Sequence, residues 1–206
     1  MTPKLNLAEA FRYLLPGSVL IIYVYLWDPN YFESNKLSKL PEYIAILATL
    51  LIGTFIFQIY RNLFYQSVIY RAQDVYFKWS KKDNYRTLLI NRYDKYKLTS
   101  VEAGNLYLSI RERFLSDEYK IMTIQAPLIH LMYISGFMAI FFAIICKSPE
   151  CFSKSYLFSI MALILLASAF FSDKRFEHYE YLMLNALIKR KHEKVDKHVN
   201  FFTAIN

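Results

Sequence analysis

Residues Tyr43–Arg71 read YIAILATLLIGTFIFQIYRNLFYQSVIYR. The first eighteen positions, to Tyr60, hold no Asp, Glu, Lys or Arg; the rest turn basic with no Gly or Pro between. A hydrocarbon core about 30 Å thick is crossed by roughly 20 helical residues rising about 1.5 Å each, within a working range of about 17–25. A helix of a water-soluble bundle keeps a polar face, and this stretch has almost none. It reads as a span that ends at Arg61, with Tyr60, Phe64 and Tyr65 at headgroup depth, where amphipathic rings are favoured. Asn62, Gln66, Arg71 and Asp74 then carry the helix into water. One continuous helix is expected from Phe57 to Lys82, closed by KKDNYR.

Three further apolar runs accompany this one. Leu14–Trp27 extends back to Ala8 across Glu9 and Arg12, while Pro127–Cys146 and Tyr156–Phe171 hold no Asp, Glu, Lys or Arg. The chain of 206 residues is 55% hydrophobic and 18% aromatic with only four glycines, a balance unusual for a water-soluble domain. The expected fold is all-α and polytopic. Spans fall at 8–27, 43–60, 127–146 and 155–172, with a helical segment at 61–126 and a helix and tail at 173–206. The first run reads as an anchor and not a cleaved signal, because Arg12 interrupts it and LWDPNYF lacks a small-x-small site.

Lysine and arginine near the spans set orientation. Of the 25, twenty-one lie before the first run, between 61 and 126, or after 172; the connectors 28–42 and 147–155 hold two each. That bias places both termini and the middle segment in the cytoplasm, with the spans in a bacterial inner membrane. Thr99 and Glu102 form a capping-box pattern. It opens a helix with Leu106, Ile110, Phe114 and Ile121 as an apolar stripe, and Pro127 should kink that helix at the bilayer. Past the last span, Tyr181, Leu184 and Ile188, with Phe176, Tyr179 and Met183, fall at helical spacing. Three helices thus run on beyond their spans and should pack into a small cytoplasmic domain. YRTLLINRY, Tyr85–Tyr93, is open between helix and strand.

Chemistry is sparse. Cys146 and Cys151 bracket a short outer loop and could bridge in an oxidising periplasm; the alternative is two thiols at the membrane edge. The loop offers too few ligands for zinc. His130 is an ionisable group well inside a span, with Gln58 and Thr54 able to share its depth. Such groups are functional candidates; the plainer reading is a histidine bonded to a neighbouring helix. Ser135 and Gly136 suit close approach of another helix. No phosphate loop, nucleophile elbow, HExxH or Cys–His cluster occurs, so no enzymatic activity, metal or cofactor is expected. Basic residues alternate with aromatics from Arg61 to Lys97, with Arg71, Lys78, Lys81, Lys82 and Arg86 as the candidate partner- or anion-binding set. Such a face can hold lipid headgroups, a protein or, least of all, nucleic acid or nucleotide, and orientation in the membrane calls for it as well.

With LLPGSVLIIYVYLW as first span, paired spans on short outer loops and the basic insert RNLFYQSVIYRAQDVYFKW, the layout resembles the four-span membrane subunits of Kiwa anti-phage defence systems. The resemblance covers the whole chain and rests on arrangement, so no residue role follows from it. It implies an oligomeric inner-membrane sensor that recruits a cytoplasmic DNA-binding effector. The function expected is accordingly a non-enzymatic sensor or scaffold that self-associates in the bilayer and docks a cytoplasmic protein. Two other readings stand beside it. One is a pore-forming effector lined by Thr54, Gln58, His130 or Ser168; the other is a nucleotide-sensing membrane protein that uses Lys81 and Lys82.

Overall fold

The computed structural model describes residues 13–34, 41–69, 71–72, 75–76, 84–115, 125–146 and 152–205. The described elements are all helical. They are α1 Leu15–Trp27, α2 Pro29–Ser34, α3 Glu42–Ile59, a π-helix Tyr60–Ile69, α4 Tyr85–Arg92, a 3-10 turn Asp94–Tyr96, α5 Ser100–Phe114, α6 Gln125–Ile145 and α7 Phe152–Ile205. No strand occurs among the described residues. Two compact units form, Met1–Arg71 with Ile124–Ser172 and Ala72–Thr123 with Asp173–Asn206.

The first unit is built from apolar helices. Stretches within Glu42–Ile69, Gln125–Ile145 and Ser153–Ala204 are long and apolar enough to cross a membrane; α1, at 13 residues, is shorter. Residues 8–12 of the expected first span lie outside the described residues. Backbone contact joins the start of α1 to the middle of α3. A Cβ on Gly53 would overlap the carbonyl oxygen of Tyr13, and one on Gly17 would overlap that of Thr49. Gly136 has the same role between α6 and α7, where a Cβ would press into the Leu166 side chain. Small residues at crossings of this kind let helices approach closely in an apolar solvent. Tyr23, Ala139, Phe142, Cys146, Phe158 and Ala162 fill the space between α1, α6 and α7. Lys154 donates to the Trp27 carbonyl oxygen at 2.7 Å, placing a cation on the C-terminal end of α1.

The helix expected from Phe57 to Lys82 is helical at each of its described residues, but it changes register. The α geometry stops at Ile59 and gives way to a π-helix through Ile69. Lys78, Lys81, Lys82 and most of the stretch between lie outside the described residues. Leu115 leaves helical geometry at φ −123°, ψ 16°. Residues 116–124, which would carry that helix to the kink expected at Pro127, lie outside the described residues.

The second unit has its own core. Leu89 of α4, Ala103, Leu106 and Ile110 of α5, and Leu184, Val195 and Val199 of α7 are fully buried there. Burying each larger aliphatic side chain contributes about 1.5–3 kcal/mol. YRTLLINRY resolves as helix because Tyr85, Leu89 and Tyr93, four apart, all face that core. Asn84 caps it by accepting from the Thr87 backbone N–H at 2.8 Å. The Thr99 hydroxyl and Glu102 close a reciprocal capping box at the start of α5. The second span's extension meets α7 at Tyr76, whose ring lies against the Lys174 ammonium, and α4 packs on α5 in the same unit. Within α7, Lys191 alone departs from helical dihedrals, at φ −132°, ψ 36°.

Two glycine-to-alanine changes should move stability in opposite directions. Gly53→Ala puts a methyl group against the Tyr13 carbonyl and should cost about 1–3 kcal/mol or more. Gly104→Ala, inside α5 with open space around the new methyl, should gain about 1 kcal/mol. Thermal unfolding of the full chain in detergent reads both.

Candidate functional site

The densest polar arrangement lies in the second unit. Asp173, Glu177 and Glu180 recur at spacings of four and three along α7 and continue onto Leu184 and Ile188. One helix face therefore begins acidic and becomes apolar, and all of it is buried. Two arginines from the other helices meet the acidic part. Arg86 of α4 lies 3.5 Å from Glu177, and Arg111 of α5 lies 3.6 Å from Glu180. Tyr107 stands close enough to Glu180 to oppose the effect of its burial, and Lys174 is buried in the same stretch. Three carboxylates thus stand against three cations. Such a cluster is costly to desolvate, and removing one member strands the others.

Burial dominates at Glu180. It pushes the carboxyl up from 4.5 to about 7, against the opposing pull of Tyr107, Arg111 and Arg86. This carboxyl can therefore take up a proton near neutral pH. Sequence reasoning missed Asp173, Glu177 and Glu180 because charged residues beyond a span read as a solvated face. Their spacing in step with Leu184 and Ile188 was the available signal.

A second cluster surrounds His198, on the final stretch of α7. The Ser109 hydroxyl is 2.6 Å from Nε2, and an Arg113 guanidinium nitrogen is 3.0 Å from Nδ1. Guanidinium can only donate, so Nδ1 accepts and the neutral ring carries its proton on Nε2. Burial, then the Arg113 charge, lowers the His198 pKa and favours this neutral form. The ring consequently donates to Ser109. A base that activates serine must instead accept the hydroxyl proton, so this pair has the reverse polarity. Nearby, Tyr93 donates to Asp196 at 2.6 Å, and Tyr96 bonds to Asn200. These bonds tie the turn after α4 to the end of α7.

The sequence-derived candidates are scattered. Arg86 is buried on Glu177, whereas Arg71 is exposed. Lys78, Lys81 and Lys82 lie outside the described residues, as does Cys151; Cys146 is buried in the first unit. His130 does meet a neighbouring helix. Its partner is the Tyr60 hydroxyl, 3.0 Å from Nδ1, and not Gln58 or Thr54. Gln58 and Ser168 are exposed, and the Thr54 hydroxyl donates to the Leu50 carbonyl at 2.8 Å. Among the described residues no group of three or more His, Cys, Asp or Glu could hold a metal ion. No family model matches the chain, and no curated protein or solved structure matches it.

Between about pH 4.5 and about 7, folded Glu180 holds a proton that the unfolded chain has released. The folded state binds more protons across that window, so its stability falls as pH rises through it. Glu180→Gln removes this titration. The thermal midpoint of the variant should gain on that of the natural chain as pH rises through the window, as read by parallel melts at a series of pH values.

Proposed function

We propose that the chain is a non-enzymatic sensor or scaffold of the bacterial inner membrane. It crosses the bilayer four times, keeps both termini in the cytoplasm, self-associates through its spans and docks a cytoplasmic protein on its second unit. Anti-phage defence, with a DNA-binding effector as the docked protein, is the setting that the layout favours. The observation that carries this reading is the contrast between the two units. Leu51, Phe55, Phe141, Leu163 and Phe171 stand on the outside of the first, where water would penalise them and lipid does not. The second closes its own core and turns Lys189, Arg190, Lys191, Lys194 and Lys197 outward. A cytoplasmic position for that unit suits the rule that positive charge stays inside. The reversed polarity at Ser109 and His198 adds support for a role without hydrolytic chemistry.

One observation favours a second reading. Gln58 and Ser168 are polar yet exposed on apolar helices, as expected if several copies surround a water-filled path. Ion flux across vesicles containing the chain would favour that pore. A nucleotide site is less favoured, since Arg86 of the proposed set is already paired with Glu177.

The test is co-expression of the full chain with its genomic neighbours, extraction in mild detergent and measurement of mass. An oligomer carrying a neighbour-encoded soluble protein is expected, and a reporter joined after Asn206 should remain cytoplasmic. A monomer without a companion, or an exported reporter, overturns the reading.

A further inference from the structure

The π-helix Tyr60–Ile69 spans ten residues. Most π-helices are single-turn bulges, and long ones are rare because the i→i+5 register is less favourable than α. Nothing within YRNLFYQSVI breaks the α register by itself, since it holds no Gly and no Pro. The cause therefore lies in what the segment touches. His130 of α6 meets Tyr60 and Tyr65 together. The Tyr60 hydroxyl is 3.0 Å from Nδ1, and the Tyr65 ring stands edge-on with its centroid 4.7 Å from that of the imidazole. Two turns further along α6, Phe137 stacks on Phe64 at 4.6 Å.

Tyr60 and Tyr65 are five residues apart. At about 100° per residue, an α-helix would point them about 140° from each other, and one histidine could not hold both. The wider turn of the i→i+5 register brings them much closer in azimuth. We propose that His130 is a register clasp: its simultaneous hold on Tyr60 and Tyr65 keeps residues 60–69 in the π form, and release lets them relax to α-helix. The clasp does not depend on the charge of the ring. A neutral Nδ1 accepts the Tyr60 proton, and a protonated one donates to the Tyr60 oxygen.

Relaxation has a directional result. The change in angle per residue accumulates along the segment, so Arg61 turns little and Ile69 turns most. Ile69 is buried in the π form and would lose that seat. The segment is thus a two-position element whose far end feeds the connection toward Arg71, and a stimulus acting on α6 near His130 would be converted into rotation of the chain that follows. The clasp stands whether or not the protein recruits a partner.

The test is a nitroxide scan of Arg61–Val68, one site at a time, in the full chain reconstituted in phospholipid vesicles. Cys146 and Cys151 are first replaced by alanine, with an unchanged thermal midpoint as the control. Accessibility should repeat in the parent at a period longer than that of an α-helix and shift to about 3.6 residues in His130→Ala. Tyr65→Leu, which leaves the Tyr60–His130 bond in place, should give the same shift and decides the matter if His130→Ala does not fold. A parent that already repeats at about 3.6 residues, or a wide period surviving in a folded His130→Ala or Tyr65→Leu chain, overturns the proposal.

Discussion

Helices that keep Leu51, Phe55 and Leu163 on their outside are suited to a solvent more apolar than water. In hydrocarbon, every backbone N–H and C=O must find a partner within the chain, and a helix meets that demand with no help from its neighbours. The helical character of the first unit follows from this requirement. So does the manner of its packing. Where the solvent is as apolar as the side chains, burial drives little association, and close backbone approach at Gly17, Gly53 and Gly136 takes its place. The hydroxyls in these helices obey the same economy. Ser18, Thr49 and Thr54 each donate to the carbonyl four residues back, so no polar hydrogen among them faces lipid.

The second unit closes a core of its own and is organised in the opposite way. Leucines, valines and tyrosines from three helices exclude solvent, and caps at Asn84 and Thr99 fix where two of the helices begin. Its acidic stripe is the exception to the apolar interior. Glu177 and Glu180 are held by Arg86 and Arg111 at ion-pair distances, and the balance of charge depends on every member being present. Buried charge of this kind is weak evidence for stability and stronger evidence for a single allowed arrangement, because few alternative packings satisfy it.

Elements defined by their own residues were legible in the sequence. The apolar helix from Tyr43, the capping box at Thr99 and Glu102, and the Leu106–Ile110 stripe each need only local chemistry, and each is present. Features set by a distant partner were not. The π register of Tyr60–Ile69 depends on His130, seventy residues from Tyr60. The helical state of Tyr85–Tyr93 depends on a core supplied by α5 and α7. Arg86 looked like a surface cation because its partner, Glu177, lies on the far side of two spans in sequence. In the first unit the bond of Tyr60 to His130 was not legible, since a tyrosine read as lying at headgroup depth gives no sign of which helix stands beside it.

The contact between Gly53 and the Tyr13 carbonyl has a mechanical consequence. Side chains can flex to absorb a change in spacing; two main chains that touch cannot. The short α1 and the longer α3 therefore behave as one plank. When the bilayer thins or thickens, helices adjust by tilting, and here both must lean together or neither can.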